Sequence, residues 1–324
     1  MHHDVADWFG RRTSTASDWP LDLLTTVKGP TTVSVVLPAL DEEPTVGRIV
    51  DIVHRSFGAA APEHRRLVDE LVVIDGGSRD RTAEIAQAAG ARVVQRAEIL
   101  PEHLGSGGKG EAMWRSLAVT TGDIVVFVDA DLQSFTPSYI TGLLGPLLTD
   151  DSVHLVKAVY ERPLVEGATV VPAGGGRVTE LVARPLLNLL WPDLAGVVQP
   201  LAGEYAARRE LLESLAFPCG YGVEIALLID TYERLGLDAV AQVDLGVRVH
   251  RHHEERFLGV MAAEIMRTAT ARLRRRGDLS PDAQVGESLL QFDRGATGFS
   301  VAEHAVAGVE MPPMASLAVL ADQA

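Results

Sequence analysis

A short apolar run that ends in two carboxylates is the strongest constraint on the fold of this chain. Residues 124–128 read Ile-Val-Val-Phe-Val, and Asp129 and Asp131 follow with one alanine between them. A short, β-branched, uninterrupted run is typical of a strand buried on both faces of a parallel sheet. Ligands of open α/β sheets bind at the carboxyl ends of the strands, where paired carboxylates suit Mg²⁺ or Mn²⁺ holding a diphosphate. The alternative is that the acids only solvate a turn, but the buried strand before them favours a metal-nucleotide site.

Strands and helices alternate regularly from Thr31 onward. The predicted strands are 32–37, 70–75, 91–95, 123–128 and 153–159, and the predicted helices are 45–57, 80–89, 109–120 and 137–148. Such alternation is typical of βαβ units. The predicted fold class is therefore α/β, with a Rossmann-like, mainly parallel sheet flanked by helices.

The pattern changes after Lys157. A stretch rich in Gly and Pro at 161–176 precedes predicted helices at 177–190, 204–215 and 222–235, a strand at 239–249 and a helix at 255–275. We expect an N-terminal extension packed onto the domain at 1–30, a cofactor-binding half at 31–160, an acceptor-binding half at 161–275 and a weakly patterned tail at 276–324.

Charge and composition exclude several classes of protein. The 324 residues carry a formal net charge of −15, which argues against a nucleic-acid binder, because such proteins need clustered Lys and Arg. An anionic substrate must therefore be met by local basic groups. The single cysteine, Cys219, fits a reducing cytoplasm, and no 18-residue apolar window or signal-peptide pattern occurs. We expect a cytoplasmic protein without a membrane segment.

Polar loops follow the first two predicted strands. The first is Leu37-Pro-Ala-Leu-Asp-Glu-Glu43, and a loop in this position commonly touches a nucleotide, although acids also favour a helix N-terminus. The second is Asp75-Gly-Gly-Ser-Arg-Asp-Arg-Thr82, in which Asp75 could meet a nucleoside. Helix capping by Ser78 is the stronger interpretation of that loop.

Two glycine-rich segments could receive an anion. The segment Gly105-Ser-Gly-Gly-Lys-Gly110 follows no clear strand and lacks Ser or Thr after Lys109, so it fits neither a dinucleotide fingerprint nor a phosphate loop. It fits a flexible loop that delivers Lys109 to an anionic or polar ligand, with a plain loop lysine as the alternative. In residues 173–180 a glycine turn runs into a helix that begins with Arg177 and Thr179, which favours a phosphate or carboxylate site over an interlobe hinge.

Two further positions carry open alternatives. Glu224 lies near the start of a predicted helix, where it could bond sugar hydroxyls or simply complement the helix dipole. The run His250-Arg-His-His253 ends a predicted strand, and a histidine there could complete a metal site with Asp129 and Asp131. Histidines on a surface turn are ordinarily only solvated, and sequence spacing does not decide between these interpretations.

The order of these segments resembles the GT-A glycosyltransferases and, more narrowly, the retaining glucosyl-3-phosphoglycerate synthase family. The resemblance spans roughly residues 31–255. It is carried by VSVVLPALDEE (33–43), GKGEAMWRSL (108–117), IVVFVDADL (124–132), GGGRVTELVARPLL (174–187), QPLAGEYAARREL (199–211) and the block from Gly220 to His252. These long blocks are more specific than the Asp-Ala-Asp triplet alone.

The resemblance implies a GT-A fold, an activity and a set of site residues. The activity is transfer of glucose from a nucleotide donor, UDP-glucose foremost, to the 2-hydroxyl of 3-phosphoglycerate with retention of configuration. The implied ligands of Mg²⁺ or Mn²⁺ are Asp129, Asp131 and His250, and the implied acceptor contacts are Gly175, Arg177, Thr179 and His252. The implied nucleotide contacts are Pro38, Ala39, Leu40, Glu42, Ser78, Lys109, Asp129, Ala130 and Tyr221.

Retention can proceed through a covalent intermediate or by attack from the face of the leaving group. No isolated carboxylate in the sequence stands out as a nucleophile, so we favour same-face attack. In this hypothesis Asp131 acts at the metal, Glu224 orients the sugar, and the segment at Leu201 lines it.

Three other functions compete with this hypothesis. The nearest is the same reaction with GDP-mannose, which gives mannosyl-3-phosphoglycerate. The others are an inverting transferase acting on a lipid phosphate and a non-catalytic nucleotide-sugar sensor. The expected partners are the nucleotide sugar and 3-phosphoglycerate, with neither nucleic acid nor membrane, and the apolar helices and the tail suit a homodimer.

Overall fold

A computed structural model of the chain describes residues 3–103, 105–161, 164–166, 169–171, 176–248, 255–295, 298–306 and 308–321. The strands in these ranges are β1 Thr13–Thr15, β2 Val33–Ala39, β3 Glu70–Asp75, β4 Arg92–Gln95, β5 Ile124–Phe127, β6 Leu155–Glu161, β7 Leu164–Glu166, β8 Thr169–Val171, β9 Tyr205–Arg208, β10 Phe217–Pro218, β11 Val240–Val247, β12 Ser288–Gly295, β13 Gly298–Ala305 and β14 Glu310–Met311.

The α-helices in the same ranges are α1 His3–Arg12, α2 Leu21–Val27, α3 Val46–Ser56, α4 Thr82–Ala88, α5 Lys109–Val119, α6 Ser138–Thr149, α7 Arg184–Leu190, α8 Arg209–Glu213, α9 Val223–Leu235, α10 Glu255–Arg276 and α11 Met314–Ala321. A π-helical turn, Thr179–Ala183, leads into α7. Short 3₁₀ turns occupy Ala16–Asp18, Glu63–Arg65, Arg96–Glu98, Pro192–Gly196 and Leu237–Ala239.

The described residues form one main sheet of eight strands in the order β1-β11-β6-β9-β5-β2-β3-β4. Strand β9 runs antiparallel to both of its neighbours, β5 and β6, and the other pairings are parallel. The carboxyl ends of β2, β3, β4 and β5 therefore share one edge of the sheet. The predicted α/β fold with a mainly parallel sheet is confirmed.

Helices cover both faces of the sheet, because successive side chains of a buried strand point to opposite sides. On β2, Val35 and Leu37 enter the core layer that contains Ile49 of α3 and Leu143 of α6. Val36, between them, enters the layer with Trp114 of α5 and Ile225 of α9. This alternation explains why the parallel strands read as continuous apolar runs.

The predicted helix over 204–215 is wrong in its first half. Residues Tyr205–Arg208 form β9, and only Arg209–Glu213 is helical. Alanine and arginine favour helices, but here Tyr205, Ala206 and Ala207 fill the gap between β5 and β6 and are fully buried. Tertiary pairing has overridden local propensity.

The N-terminal residues contribute to the main sheet. Strand β1 pairs in parallel with β11 through Thr13 and its two successors. Trp8 of α1 is 1% exposed, and its indole N–H donates to the Val240 carbonyl at 2.9 Å. In the part of the chain that the structure describes, no helix combines the length and apolarity that a bilayer span requires.

Candidate active site

A cavity of about 660 Å³ opens at the carboxyl edge of the sheet. It lies where the loops after β2, β3 and β5 meet the start of α5, the segment before β9 and the start of α9. Most of the residues predicted for the site line this cavity, namely Pro38, Ala39, Leu40, Glu42, Lys109, Asp129, Ala130, Asp131, Arg177, Thr179, Leu201, Tyr221 and Glu224. The sequence blocks that were far apart along the chain are therefore brought together.

The carboxylates of Asp129 and Asp131 converge on the guanidinium of Arg248. Nitrogen Nη2 of Arg248 lies 2.9 Å from Oδ2 of Asp129 and 3.4 Å from Oδ1 of Asp131. Two carboxylates that converge on one cationic nitrogen supply the hard oxygen donors that Mg²⁺ and Mn²⁺ prefer. The donor set therefore fits a divalent cation at this edge of the sheet.

The turn that carries these carboxylates is tied to the rest of the fold. Thr45, just before α3, donates from its hydroxyl to the Ala130 carbonyl at 2.6 Å. Burial raises the pKa of Asp129, but the charges of Lys109 and Arg248 outweigh it and hold that pKa well below its ordinary value. Asp129 is therefore an anion in this arrangement.

Lys109 joins the metal-side acids to the helix α9. Its ammonium Nζ lies 2.5 Å from Oδ1 of Asp129 and 2.7 Å from Oε1 of Glu224. Burial lowers the pKa of Lys109, but these two carboxylates raise it more, so the pKa lies well above its usual value. Lys109 is the first residue of α5, and Gly107 and Gly108 before it have φ of +80° and +101°, which other residues rarely adopt.

Gly203 leaves the space in which Lys109 and Asp129 meet. A Cβ atom at this position would lie 2.5 Å from the Lys109 ammonium and would also overlap the Asp129 carboxylate. The turn that contains Gly203 is anchored by the buried Lys157, whose ammonium donates to the Ala202 carbonyl at 2.6 Å. Burial lowers the pKa of Lys157 to about 7.

Two buried residues, Tyr160 and Glu204, form a hydrogen-bond network with Arg248. The Tyr160 hydroxyl donates to Oε2 of Glu204 at 2.7 Å and accepts from Nη1 of Arg248 at 2.9 Å. Glu204 is fully buried, and burial, together with the nearby charge of Asp129, raises its pKa although Arg248 opposes this. The network fixes the guanidinium that faces the two aspartates.

The loops after β2 and β3 form one wall of the cavity. Leu40 is 58% exposed at this wall. Ser78 does not line the cavity: its hydroxyl donates to Asp75 at 2.6 Å and accepts from the Asp41 amide at 3.0 Å. The structure places Ser78 in the contact between the two loops, and a nucleotide contact by Ser78 stays a prediction.

The acceptor-side residues are only partly described. Arg177 and Thr179 line the cavity at the start of the helical segment that continues into α7. Gly175, His250 and His252 lie outside the described residues. Within the described residues no cluster of three or more His, Cys, Asp or Glu side chains could hold a metal ion.

Sequence reasoning missed several groups at this site. Arg248, Tyr160, Glu204, Lys157 and Arg96 were not predicted. The signal for Lys157 was a charged residue inside an apolar, strand-like run, because such residues are almost never fully buried without a partner. Arg248 and Arg96 follow strands at the carboxyl edge, as the predicted residues do.

Comparisons with known proteins find similar proteins over most of the chain. Residues 34–174 match glycosyl transferase family 2. The chain is 49% identical over 315 residues to the glucosyl-3-phosphoglycerate synthase of Mycolicibacterium paratuberculosis, covering 96% of this chain and 92% of that protein. It is 51% identical over 302 residues to the synthase of the same name from Mycobacterium tuberculosis H37Rv, covering 91% and 89%.

Two crystal structures extend the comparison to three dimensions. The M. tuberculosis glucosyl-3-phosphoglycerate synthase in complex with Mn²⁺, UDP-glucose and phosphoglyceric acid matches with a TM-score of 0.80 and 48% identity, over 94% of this chain and 98% of that one. The mannosyl-3-phosphoglycerate synthase of Rubrobacter xylanophilus matches with a TM-score of 0.87 and 40% identity, over 97% and 98%.

Proposed function

The chain belongs to the glucosyl-3-phosphoglycerate synthase family, and we propose that it transfers glucose from UDP-glucose to the 2-hydroxyl of 3-phosphoglycerate with retention of configuration. The observation that carries this proposal is the convergence of Asp129 and Asp131 in a cavity they share with Lys109 and Arg177. A site with paired carboxylates and separate basic groups suits a metal diphosphate beside a second anionic substrate.

Asp129 and Asp131 would hold the divalent cation, with His250 as the proposed third protein ligand. The cation would offset the negative charge that develops on the departing nucleoside diphosphate. Lys109 places a further positive charge beside Asp129, and its ion pair with Glu224 fixes both side chains. These groups are already in position, so little reorganisation is needed when charge develops.

The acceptor would bind at the start of the helical segment after residue 176. Arg177 and the backbone amides there suit a phosphate or carboxylate, and Thr179 adds a hydroxyl. We propose Gly175 and His252 as further acceptor contacts. Fixing 3-phosphoglycerate in this place would bring its hydroxyl beside the anomeric carbon, which is how binding energy assists a bimolecular transfer.

Retention is proposed to occur by attack on the same face as the leaving group. Glu224 is held by the Lys109 ammonium at 2.7 Å, which suits a residue that orients the sugar better than a free nucleophile. The Leu201 segment would line the sugar on the side of Gly203. The nucleotide would lie against Pro38, Ala39, Leu40 and Glu42, with Ala130 and Tyr221 closer to the diphosphate.

A homodimer in the cytoplasm is proposed as the working form. Strands β12 and β13 form a two-stranded hairpin, and such hairpins are marginally stable alone. One face contacts α10 near Gly259, through Leu289 and Gln291. The opposite face exposes Leu290, Phe292, Phe299 and Val301, which a second copy would cover. A single, buried cysteine fits the reducing cytoplasm.

One assay tests the proposed reaction and its nearest rival. The purified protein is incubated with Mn²⁺, 3-phosphoglycerate and, in turn, UDP-glucose, ADP-glucose and GDP-mannose, and the product anomer is identified by NMR. We expect α-glucosyl-3-phosphoglycerate from UDP-glucose. The similarity to the R. xylanophilus enzyme makes the mannosyl reaction the second candidate, and faster product formation from GDP-mannose would replace our proposal with it.

A further inference from the structure

Arg96 is a cationic side chain of the cavity, and its guanidinium has no hydrogen-bond or ion-pair partner among the residues that the structure describes. It follows β4 directly and lines the cavity together with Gly76 and Gly107. In this part of the chain its backbone carbonyl accepts from the Ile99 amide, but its buried side-chain Nε atom has no acceptor. Lys109 and Arg248, by contrast, are paired with Asp129. The Arg96 guanidinium is therefore available to a ligand.

The glycine loop before α5 lies close to the Arg96 guanidinium. Gly107 has a φ of +80°, and a Cβ atom there would lie 3.0 Å from Nη1 of Arg96. Any side chain at position 107 would press on the guanidinium. Because glycine has no side chain, the guanidinium can pack against the backbone of the loop.

The strand order decides which part of the nucleotide Arg96 faces. The metal-side aspartates follow β5, and β4 lies three strands away in the order β5-β2-β3-β4. Neighbouring strands are separated by about 4.8 Å, so β4 is roughly 14 Å from β5. A diphosphate held at Asp129 and Asp131 would extend its ribose across β2, which leaves the base beside β3 and β4.

We propose that Arg96 recognises the base of the nucleotide donor by donating hydrogen bonds to a base carbonyl oxygen. Uracil offers O4 and guanine offers O6 with N7, whereas adenine carries an amino group, itself a donor, at the corresponding position. A guanidinium has donors only, so it favours uracil and guanine over adenine. This inference rests on the proposed function, because it takes the nucleotide sugar to be the donor in this cavity.

Nucleotide binding tests the inference without relying on turnover. The dissociation constants of UDP, GDP and ADP are measured by calorimetry with Mn²⁺ for the wild type, for Arg96→Met and for the control Arg92→Met. Arg92 lies on β4, four residues before Arg96, and outside the cavity lining, so Arg92→Met removes the same charge without changing the cavity. For Arg96→Met we expect UDP and GDP to bind about tenfold more weakly and ADP to change less than threefold. We expect the Arg92 variant to match the wild type.

Two results would overturn the inference. An equal loss for all three nucleotides would mean that Arg96 contacts the diphosphate, and no loss at all would mean that it contacts no part of the nucleotide. If Arg96→Met does not fold, Arg96→Lys keeps the charge but loses the planar fork. Base recognition then predicts about threefold weaker UDP binding with ADP unchanged, whereas a diphosphate contact predicts no change in either.

The outcome is separable from that of the proposed function. Wild-type enzyme that binds UDP but forms no product from UDP-glucose and 3-phosphoglycerate would contradict the proposed reaction. The comparison of the three nucleotides would still show whether Arg96 recognises the base.

Discussion

At the scale of single residues, the site is organised around ion pairs that join three cavity-lining acids to two cations. Lys109 contacts both Asp129 and Glu224, and Arg248 contacts both aspartates. Because each cation touches two acids, removing one acid leaves a buried charge incompletely paired. Single substitutions here are therefore expected to affect activity far more than their size suggests.

The double substitution of Asp129→Asn and Asp131→Asn removes both carboxylates that would bind the cation. We expect turnover of UDP-glucose to fall by at least about 10³-fold, because charge on the departing diphosphate is no longer offset. Calorimetry should show that Mn²⁺ binding is lost, and thermal melting should show that the fold persists. Turnover near the wild-type value would contradict a metal site at these residues.

Substitution of Glu224→Gln removes one charge from the pair with Lys109 while keeping the shape of the side chain. We expect turnover to fall about 10²-fold, because the sugar is oriented less well and Lys109 loses a partner. Intact-protein mass spectrometry of the wild type during turnover should show no glycosyl adduct. An adduct at Glu224 would overturn same-face attack, and the exposed Glu63→Gln serves as the control.

At the scale of secondary-structure elements, the central antiparallel strand β9 positions the middle of the site. The turn before it contains Ala202 and Gly203, and the strand itself is hydrogen-bonded on both sides. Lys157 of β6 fixes the turn by donating a hydrogen bond to the Ala202 carbonyl. The Lys157 ammonium also lies 4.6 Å from the centre of the Tyr205 ring. Sheet pairing thus determines where Gly203 meets Asp129.

Substitution of Lys157→Met should separate stability from activity. The folded-state pKa of Lys157 is about 7 and the reference value is 10.5, so the unfolded chain binds more protons between these pH values. The free energy of unfolding of the wild type therefore rises with pH across this window, by up to roughly 4 kcal/mol relative to the variant. Urea denaturation at pH 7 and 9.5 measures about 3 kcal/mol of this difference.

The same variant should lose activity even where it gains stability. At pH 7 we expect Lys157→Met to be at least as stable as the wild type, because a buried charge has been replaced by an apolar group. Its turnover number should nevertheless fall about tenfold, since the Ala202 carbonyl loses its donor and the turn can shift. Lys28→Met, at a lysine outside the cavity lining, is the control. Unchanged turnover would show that Lys157 has no positioning role.

The parallel strands could be predicted from the sequence, whereas the antiparallel strand β9 could not. Runs such as 124–128 and 70–75 identified the parallel strands, because a strand buried on both faces must be continuously apolar. Strand β9 could not be found this way, since Tyr-Ala-Ala-Arg favours a helix until β5 and β6 enclose it. The aspartates and Lys109 were predicted from their place beside a strand end and a glycine loop. Their ion pairs with Glu224 and Arg248 depend on contacts across more than 100 residues.

At the scale of the whole molecule, the chain is acidic overall, but four basic side chains line the cavity. The chain carries a net charge of −15, yet Arg96, Lys109, Arg177 and Arg248 all line one cavity. A strongly acidic surface repels anionic ligands at long range, and salt screens that repulsion. The cations in the cavity must therefore act at short range, where geometry and not net charge determines binding.

The hairpin of β12 and β13 exposes four large apolar side chains on one face, and a second copy of the chain is the partner proposed for it. Replacing Phe292 and Phe299, which are 60% and 69% exposed, with serine removes most of the apolar area there. We expect the wild type to elute as a dimer in size-exclusion chromatography with light scattering, and the Phe292→Ser/Phe299→Ser variant as a monomer, because a stable interface requires a well-packed apolar centre. Leu23→Ser, which removes an exposed leucine elsewhere, should stay dimeric. A double variant that is still a dimer would place the interface on another surface, since the hairpin face could then no longer supply the contact.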